Sequence, residues 1–92
     1  MIQSFADHET EAVFLTGKSR RWTEIARVAA RRLQAIDFES AIEDLRCPPG
    51  NKLEKLKGTR NGQWSIRIND QNRVCFRWDG KDAWEVEIVD YH

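Results

Sequence analysis

Residues 63–78 read QWSIRINDQNRVCFRW. Trp64, Ile66 and Ile68 alternate with Ser65 and Arg67, NDQN (69–72) supplies turn chemistry, and RVCFRW (73–78) resumes the alternation. A period of two on both sides of a polar turn predicts a pair of antiparallel strands with one apolar face. The pattern runs on through DGKD (79–82) into AWEVEIVDYH (83–92). There it predicts Trp84, Val86 and Ile88 facing inward, with Glu85, Glu87, Val89 and Tyr91 outward.

A sheet with one apolar face needs cover on that face alone. The residues upstream supply it. DHETEAVFLTGK (7–18) reads as a brief helix closed by Gly17, and MIQSF (1–5) as an edge strand. From Trp22 to Ile36, the residues Ile25, Val28, Ala29, Leu33 and Ile36 fall at helical spacing, while Arg20, Glu24, Arg27 and Arg31 line the opposite stripe. SAIEDL (40–45) adds a short helical turn before CPPGN (47–51), where regular structure stops. The expected fold is α+β: an N-terminal strand and two to three helices packed on one face of a C-terminal antiparallel sheet.

The 92 residues are 40% hydrophobic and 33% charged, a composition that excludes disordered and membrane-embedded classes and suits one domain over 1–92. No apolar run approaches a membrane span, and MIQSFADHET lacks a basic stretch followed by an apolar one, so a cytoplasmic protein with no membrane partner is expected. Cys47 and Cys75 stand 28 positions apart with only His8 and His92 as imidazoles. Two reduced thiols are expected, with neither a disulfide framework nor a metal.

A net charge of zero conceals segregation. Residues 17–36 hold Lys18, Arg20, Arg21, Arg27, Arg31 and Arg32 against Glu24 alone; residues 46–77 hold eight basic side chains against Glu54 and Asp70. Blocks of this kind suggest a polyanion-binding face on a neutral molecule. The open sheet face, carrying Arg67, Arg73, Arg77, Glu85, Glu87 and Tyr91, suits RNA. Cross-strand pairing of Arg67 or Arg77 with Glu85 or Glu87 is the plainer alternative, and Arg73 lacks an obvious acidic partner. RNA is cut without a metal or other cofactor when a base takes the 2′-hydroxyl proton, a cation steadies the phosphorane and an acid protonates the leaving oxygen. Glu54, His92, Tyr91, Arg73 and Lys57 are of the right types.

NKLEKLKG (51–58), GQWSIRINDQNRVCF (62–76) and EIVDYH (87–92), after a helical half containing GKSRRW (17–22) and RRLQAID (31–37), resemble HigB-type toxins of the RelE/ParE superfamily over nearly the whole chain. The resemblance implies a RelE-like fold and an mRNA interferase acting in the ribosomal decoding site. It also implies a HigA-like helix-turn-helix antitoxin that joins the toxin on operator DNA. By position, the catalytic cluster falls on Glu54, Arg73, Asp90, Tyr91 and His92, and Lys57 is the phosphate-binding cation; Arg67 on the open sheet face is a further substrate-binding candidate. Lys18, Arg20, Arg21, Arg27 and Arg31 would contact ribosomal RNA, or else form a solvated face or an antitoxin-binding surface. Some members have histidine where Glu54 stands, and an aromatic as in DQWR where Asn72 stands. Rival expectations are a ParE-like toxin directed at gyrase and a degenerate toxin that only binds its antitoxin.

Overall fold

The computed structural model describes residues 1–90. Two helices, α1 (His8–Thr16) and α2 (Ala26–Phe38), precede β1 (Glu54–Lys55), β2 (Gln63–Arg67), β3 (Asn72–Trp78) and β4 (Ala83–Asp90). The four strands form one antiparallel sheet in the order β1-β2-β3-β4. Short 3₁₀ turns occupy Ile42–Arg46, Pro49–Asn51 and Gly58–Arg60. The α+β plan expected from the alternation is the one observed.

Each helix end has a local cause. The Asp7 side chain accepts from the Thr10 N–H at 2.7 Å, capping α1, and Gly17 ends it at φ 74, a left-handed conformation that glycine adopts without strain. The second helix begins at Ala26, four residues after the expected Trp22. Residues 22–25 instead form a turn, with Trp22 N–H and Arg21 N–H donating to Ser19 Oγ, which draws the chain away from helical geometry there. The buried stripe is Ala26, Ala29, Leu33 and Ile36.

That stripe packs on Ile66, Ile68, Val74, Phe76, Val86 and Ile88 of the sheet, with Val13 of α1 and Leu45 of the connection. The expected N-terminal strand is reduced to two single parallel bridges, Ile2 to Ala83 and Phe5 to Val86. It still serves the outer edge of β4. The Ala83 N–H donates to the Met1 carbonyl at 3.0 Å, Val86 N–H to the Ser4 carbonyl at 3.1 Å, and Ile88 N–H to Thr10 Oγ1 at 3.0 Å. An edge whose donors are satisfied in this way offers little to a foreign strand.

One strand expectation fails. Between Cys75 and Arg77 the pairing with β4 shifts register: Cys75 opposes Glu87, but Arg77 opposes Trp84. The additional residue lies in β4, where Glu85 adopts φ 53. A bulge reverses parity beyond it. Ala83 therefore takes the buried place opposite Trp78, and Trp84, expected inward, emerges on the open face with 41% of its surface exposed.

Candidate functional site

Register across the sheet places Glu54 opposite Ser65, Ser65 opposite Cys75, and Cys75 opposite Glu87, one row on the face away from the helices. The neighbouring row holds Arg67, Arg73 and Val89. From β3, Arg73 reaches over β2: its Nη1 donates to Ser65 Oγ and meets Glu54 Oε2 at 3.4 Å, and its Nη2 donates to the Lys52 carbonyl at 3.3 Å. The arginine side chain is 12% exposed, whereas that of Glu54 is 58% exposed. Farther along, Arg60 Nη1 donates to Gln63 Oε1 at 3.0 Å and Glu87 Oε1 at 3.1 Å. Two carboxylate–guanidinium pairs thus lie above a floor of fully buried Ser65 and Cys75.

Burial is the main cause that pushes the Cys75 thiol up to about 11, opposed by Arg60 and Arg73 and reinforced by Glu87 and Glu54. A thiol so held is no nucleophile near neutral pH, and Cys75 acts as a small apolar spacer between the pairs. Cys47, the other thiol, is exposed.

The loop entering β1 is fixed from inside. Asn51 is buried and its Nδ2 donates to the Leu45 and Cys47 carbonyls, both at 3.2 Å. This sets Lys52 and Glu54 where Arg73 meets them. Lys57 is exposed, immediately before the 3₁₀ turn that carries Arg60. Arg67 pairs with Asp70 across the β2–β3 turn rather than with Glu85 or Glu87, and its carbonyl accepts from Arg32 Nε at 2.9 Å. Arg77 does pair with Glu85, at 2.5 Å.

Of the expected catalytic cluster, the fold brings Glu54 and Arg73 together. Asp90 opposes Asn72, so its parity places it on the helix-side face, where it lines a recess of about 340 Å³ with Arg21, Trp22, Thr23, Glu24, Ile25 and Asn72. Tyr91 and His92 lie outside the described residues. The sequence expectation that Arg73 lacks an acidic partner is corrected: Glu54, 19 residues earlier, is that partner. Ser65, Arg60 and Glu87 form a cluster that no local sequence pattern announces. Only the register of β2 between β1 and β3 unites the first with Glu54 and Arg73, and Arg60 sits in a turn that has no strand parity to read.

On the helical side, Lys18, Arg20, Arg21, Arg27 and Arg31 are all exposed. Arg21 lies over the Trp22 ring, 4.8 Å from its centroid, a cation–π contact that leaves the charge at the surface. Arg32 differs from them. It is turned onto the sheet through Arg67, and burial lowers its pKa.

A family model described as a RelE-like toxin of type II toxin-antitoxin system HigB matches residues 3–92. The chain belongs to the HigB-like toxin family. It is 38% identical over 80 residues to Toxin HigB-1 of Vibrio cholerae, an alignment covering 85% of this chain and 84% of that protein. It is 41% identical over 61 residues to a Proteus vulgaris protein named Endoribonuclease HigB, covering 66% of this chain and 65% of the relative. An uncharacterized Haemophilus influenzae protein is 37% identical over 61 residues, covering 66% and 60%. Membership of a type II toxin–antitoxin family implies an antitoxin as partner of this HigB-like toxin. Among the described residues of the HigB-like chain, no helix is long and apolar enough to cross a membrane, and no cluster of three or more His, Cys, Asp or Glu side chains forms a metal site.

Proposed function

We propose that this toxin is a ribosome-dependent endoribonuclease that cuts messenger RNA in the cytoplasm by metal-free acid–base chemistry. The observation that carries the reading is the Glu54–Arg73 pair: a carboxylate and a guanidinium held together on an open sheet face, in a chain similar to a protein named an endoribonuclease. At 3.4 Å and with Glu54 more than half exposed, the pair is loose enough for an RNA phosphate to compete for the guanidinium. Transfer of Arg73 to the phosphate leaves Glu54 unpaired beside the substrate, where a carboxylate serves as base toward the 2′-hydroxyl. Lys57 adds positive charge at the rim.

His92, assisted by Tyr91, is the proposed acid for the leaving 5′-oxygen; this part rests on the family resemblance of the closing residues, in which Asp90, turned by strand parity to the helix-side face, supports the end of β4 from behind the site. The products are a 2′,3′-cyclic phosphate and a 5′-hydroxyl. Lys18, Arg20, Arg21, Arg27 and Arg31 contact ribosomal RNA backbone in a salt-dependent manner. The antitoxin is a HigA-like helix-turn-helix protein, and the pair represses its own operon on operator DNA.

The test is to map messenger 5′ ends in a translation extract with wild-type, Arg73→Ala and His92→Gln proteins. New ends with the wild-type protein, lost in both variants, are expected. Equal cleavage by all three would sink the site assignment. Intact messenger with an SOS response in cells would move the toxin to the gyrase-directed branch, and no cleavage without that response would leave an antitoxin-binding module.

A further inference from the structure

The Glu85 bulge has one visible effect on the sheet: it turns Trp84 out of the core and onto the open face. A non-glycine residue at φ 53 is an uncommon and mildly costly conformation. Exposing an indole forgoes burial that Trp84 would otherwise gain. Both costs are borne at one place, opposite Arg77.

The ring is not loose there. Its Nε1–H donates to Asp79 Oδ2 at 2.8 Å, fixing one edge at the β3–β4 turn and leaving the ring partly exposed. Arg77, half-exposed and paired with Glu85, lies against the backbone of Gly62, where a Cβ would meet its Nη1 at 2.9 Å. Arg73, Cys75 and Arg77 share the open face of β3, so the two arginines stand about 13 Å apart along the strand, with the Arg60–Glu87 pair beside Cys75 between them. Of the other large exposed hydrophobics, Leu15 on α1 and Phe38 on α2 lie away from this strip, and Met1 lies at the edge of β4, where its carbonyl accepts from the Ala83 N–H.

We infer that Trp84 is a base-stacking residue for single-stranded RNA, holding a nucleotide that flanks the phosphate at Arg73, with Arg77 taking the backbone beside it. This rests on the RNA-cleaving reading of the Glu54–Arg73 pair and extends it along the same face. An exposed indole opposite Arg77, at the end of a strip that carries Arg60 and Arg73 farther along, suits a nucleic-acid strand, in which every base has a π-face and every linkage a charge. A protein partner would call for a continuous apolar patch, and the neighbours of Trp84 are charged.

The experiment compares wild-type, Trp84→Ala, Trp84→Phe and Arg73→Ala proteins on one message in a translation extract, measuring initial cleavage rate against toxin concentration. Separately, the binding of a fluorescent twelve-nucleotide single-stranded RNA is followed at low salt. Trp84→Ala is expected to raise the half-saturating concentration and weaken oligonucleotide binding on the order of tenfold, with maximal rate within about twofold; Trp84→Phe recovers most of the loss. Arg73→Ala instead loses maximal rate. If the wild-type protein cuts nothing, the cleavage reading fails, and the oligonucleotide arm alone decides Trp84. Equal binding by wild-type and Trp84→Ala proteins overturns the inference. So does normal RNA behaviour of Trp84→Ala with lost neutralisation by co-expressed antitoxin, which would assign the ring to the protein partner.

Discussion

Arg73 on β3 spans β2 to reach Glu54 on β1, Nη1 to Oε2 3.4 Å, passing over Ser65, whose hydroxyl accepts from the same nitrogen. Two strand spacings, about 10 Å, separate the outer members of that link. A long planar cation bridges the gap, with Glu54, Ser65 and the Lys52 carbonyl among the acceptors around it. Lysine has the charge but not the fork. We expect Arg73→Ala to lower messenger cleavage by about 10² to 10³-fold and Arg73→Lys to recover only part of it, while Glu54→Gln costs on the order of 10²-fold or more. Initial rates of 5′-end appearance check this, with circular dichroism confirming the fold of each variant.

The exposed cations of α2 give a salt-dependence prediction. Arg27 and Arg31 are one helical turn apart and both exposed. Replacing both with glutamine should weaken association with ribosomes and reduce the slope of log affinity against log salt by about 1 to 2. Sedimentation at several salt concentrations measures it. An unchanged slope would leave this stripe to solvent or to the antitoxin.

Thr10 joins helix to sheet. Its buried hydroxyl accepts from Ile88 N–H at 3.0 Å and donates to Asp7 Oδ2 at 3.0 Å. Thr10→Val keeps the shape and leaves the Ile88 donor without its partner, at an expected cost of about 1–3 kcal/mol by denaturant titration. Equal stability of the variant would mean that water replaces the hydroxyl.

The two thiols should differ in reactivity. Cys47 is exposed, whereas Cys75 is buried with its thiol pushed up from 9.0 to about 11. At pH 8 an aromatic disulfide reagent is expected to modify Cys47 rapidly and Cys75 only at the rate of unfolding. The raised folded-state value also ties stability to pH. The contribution is present below pH 9 and declines as pH rises from about 9 to about 11, because the unfolded thiol ionises first. Cys75→Ala should flatten that alkaline limb.

Asp79 shows the opposite sign. The Asp82 backbone N–H, the Trp84 indole and the Lys81 N–H hold its carboxyl below the ordinary 3.8. A depressed folded-state pKa contributes stability above 3.8 that is lost as pH falls through the folded value. The melting-temperature gap between the wild-type protein and Asp79→Asn should therefore be present at pH 7 and narrow below pH 3.8.

What the sequence determined by itself is what local periodicity encodes. Alternation from Trp64 to Trp78 specified two strands and the turn between them, helical spacing through Ala29, Leu33 and Ile36 chose the buried stripe, and Gly17 marked the end of α1. The charge blocks placed cations on the exposed side of α2, and ordered motifs disclosed the family. Tertiary structure decided everything that depends on which strand lies beside which. Glu54 meets Arg73 because β2 stands between their strands in one register, an association of residues 19 apart that no local pattern carries. The bulge at Glu85 turned Trp84 from core to surface, because one inserted residue reverses a period of two. Alternation along one strand is local, and it already set Asp90 on the face opposite to Val89 and Arg73; which side chains become neighbours across strands depends on register, and register is set by the packing of the whole sheet.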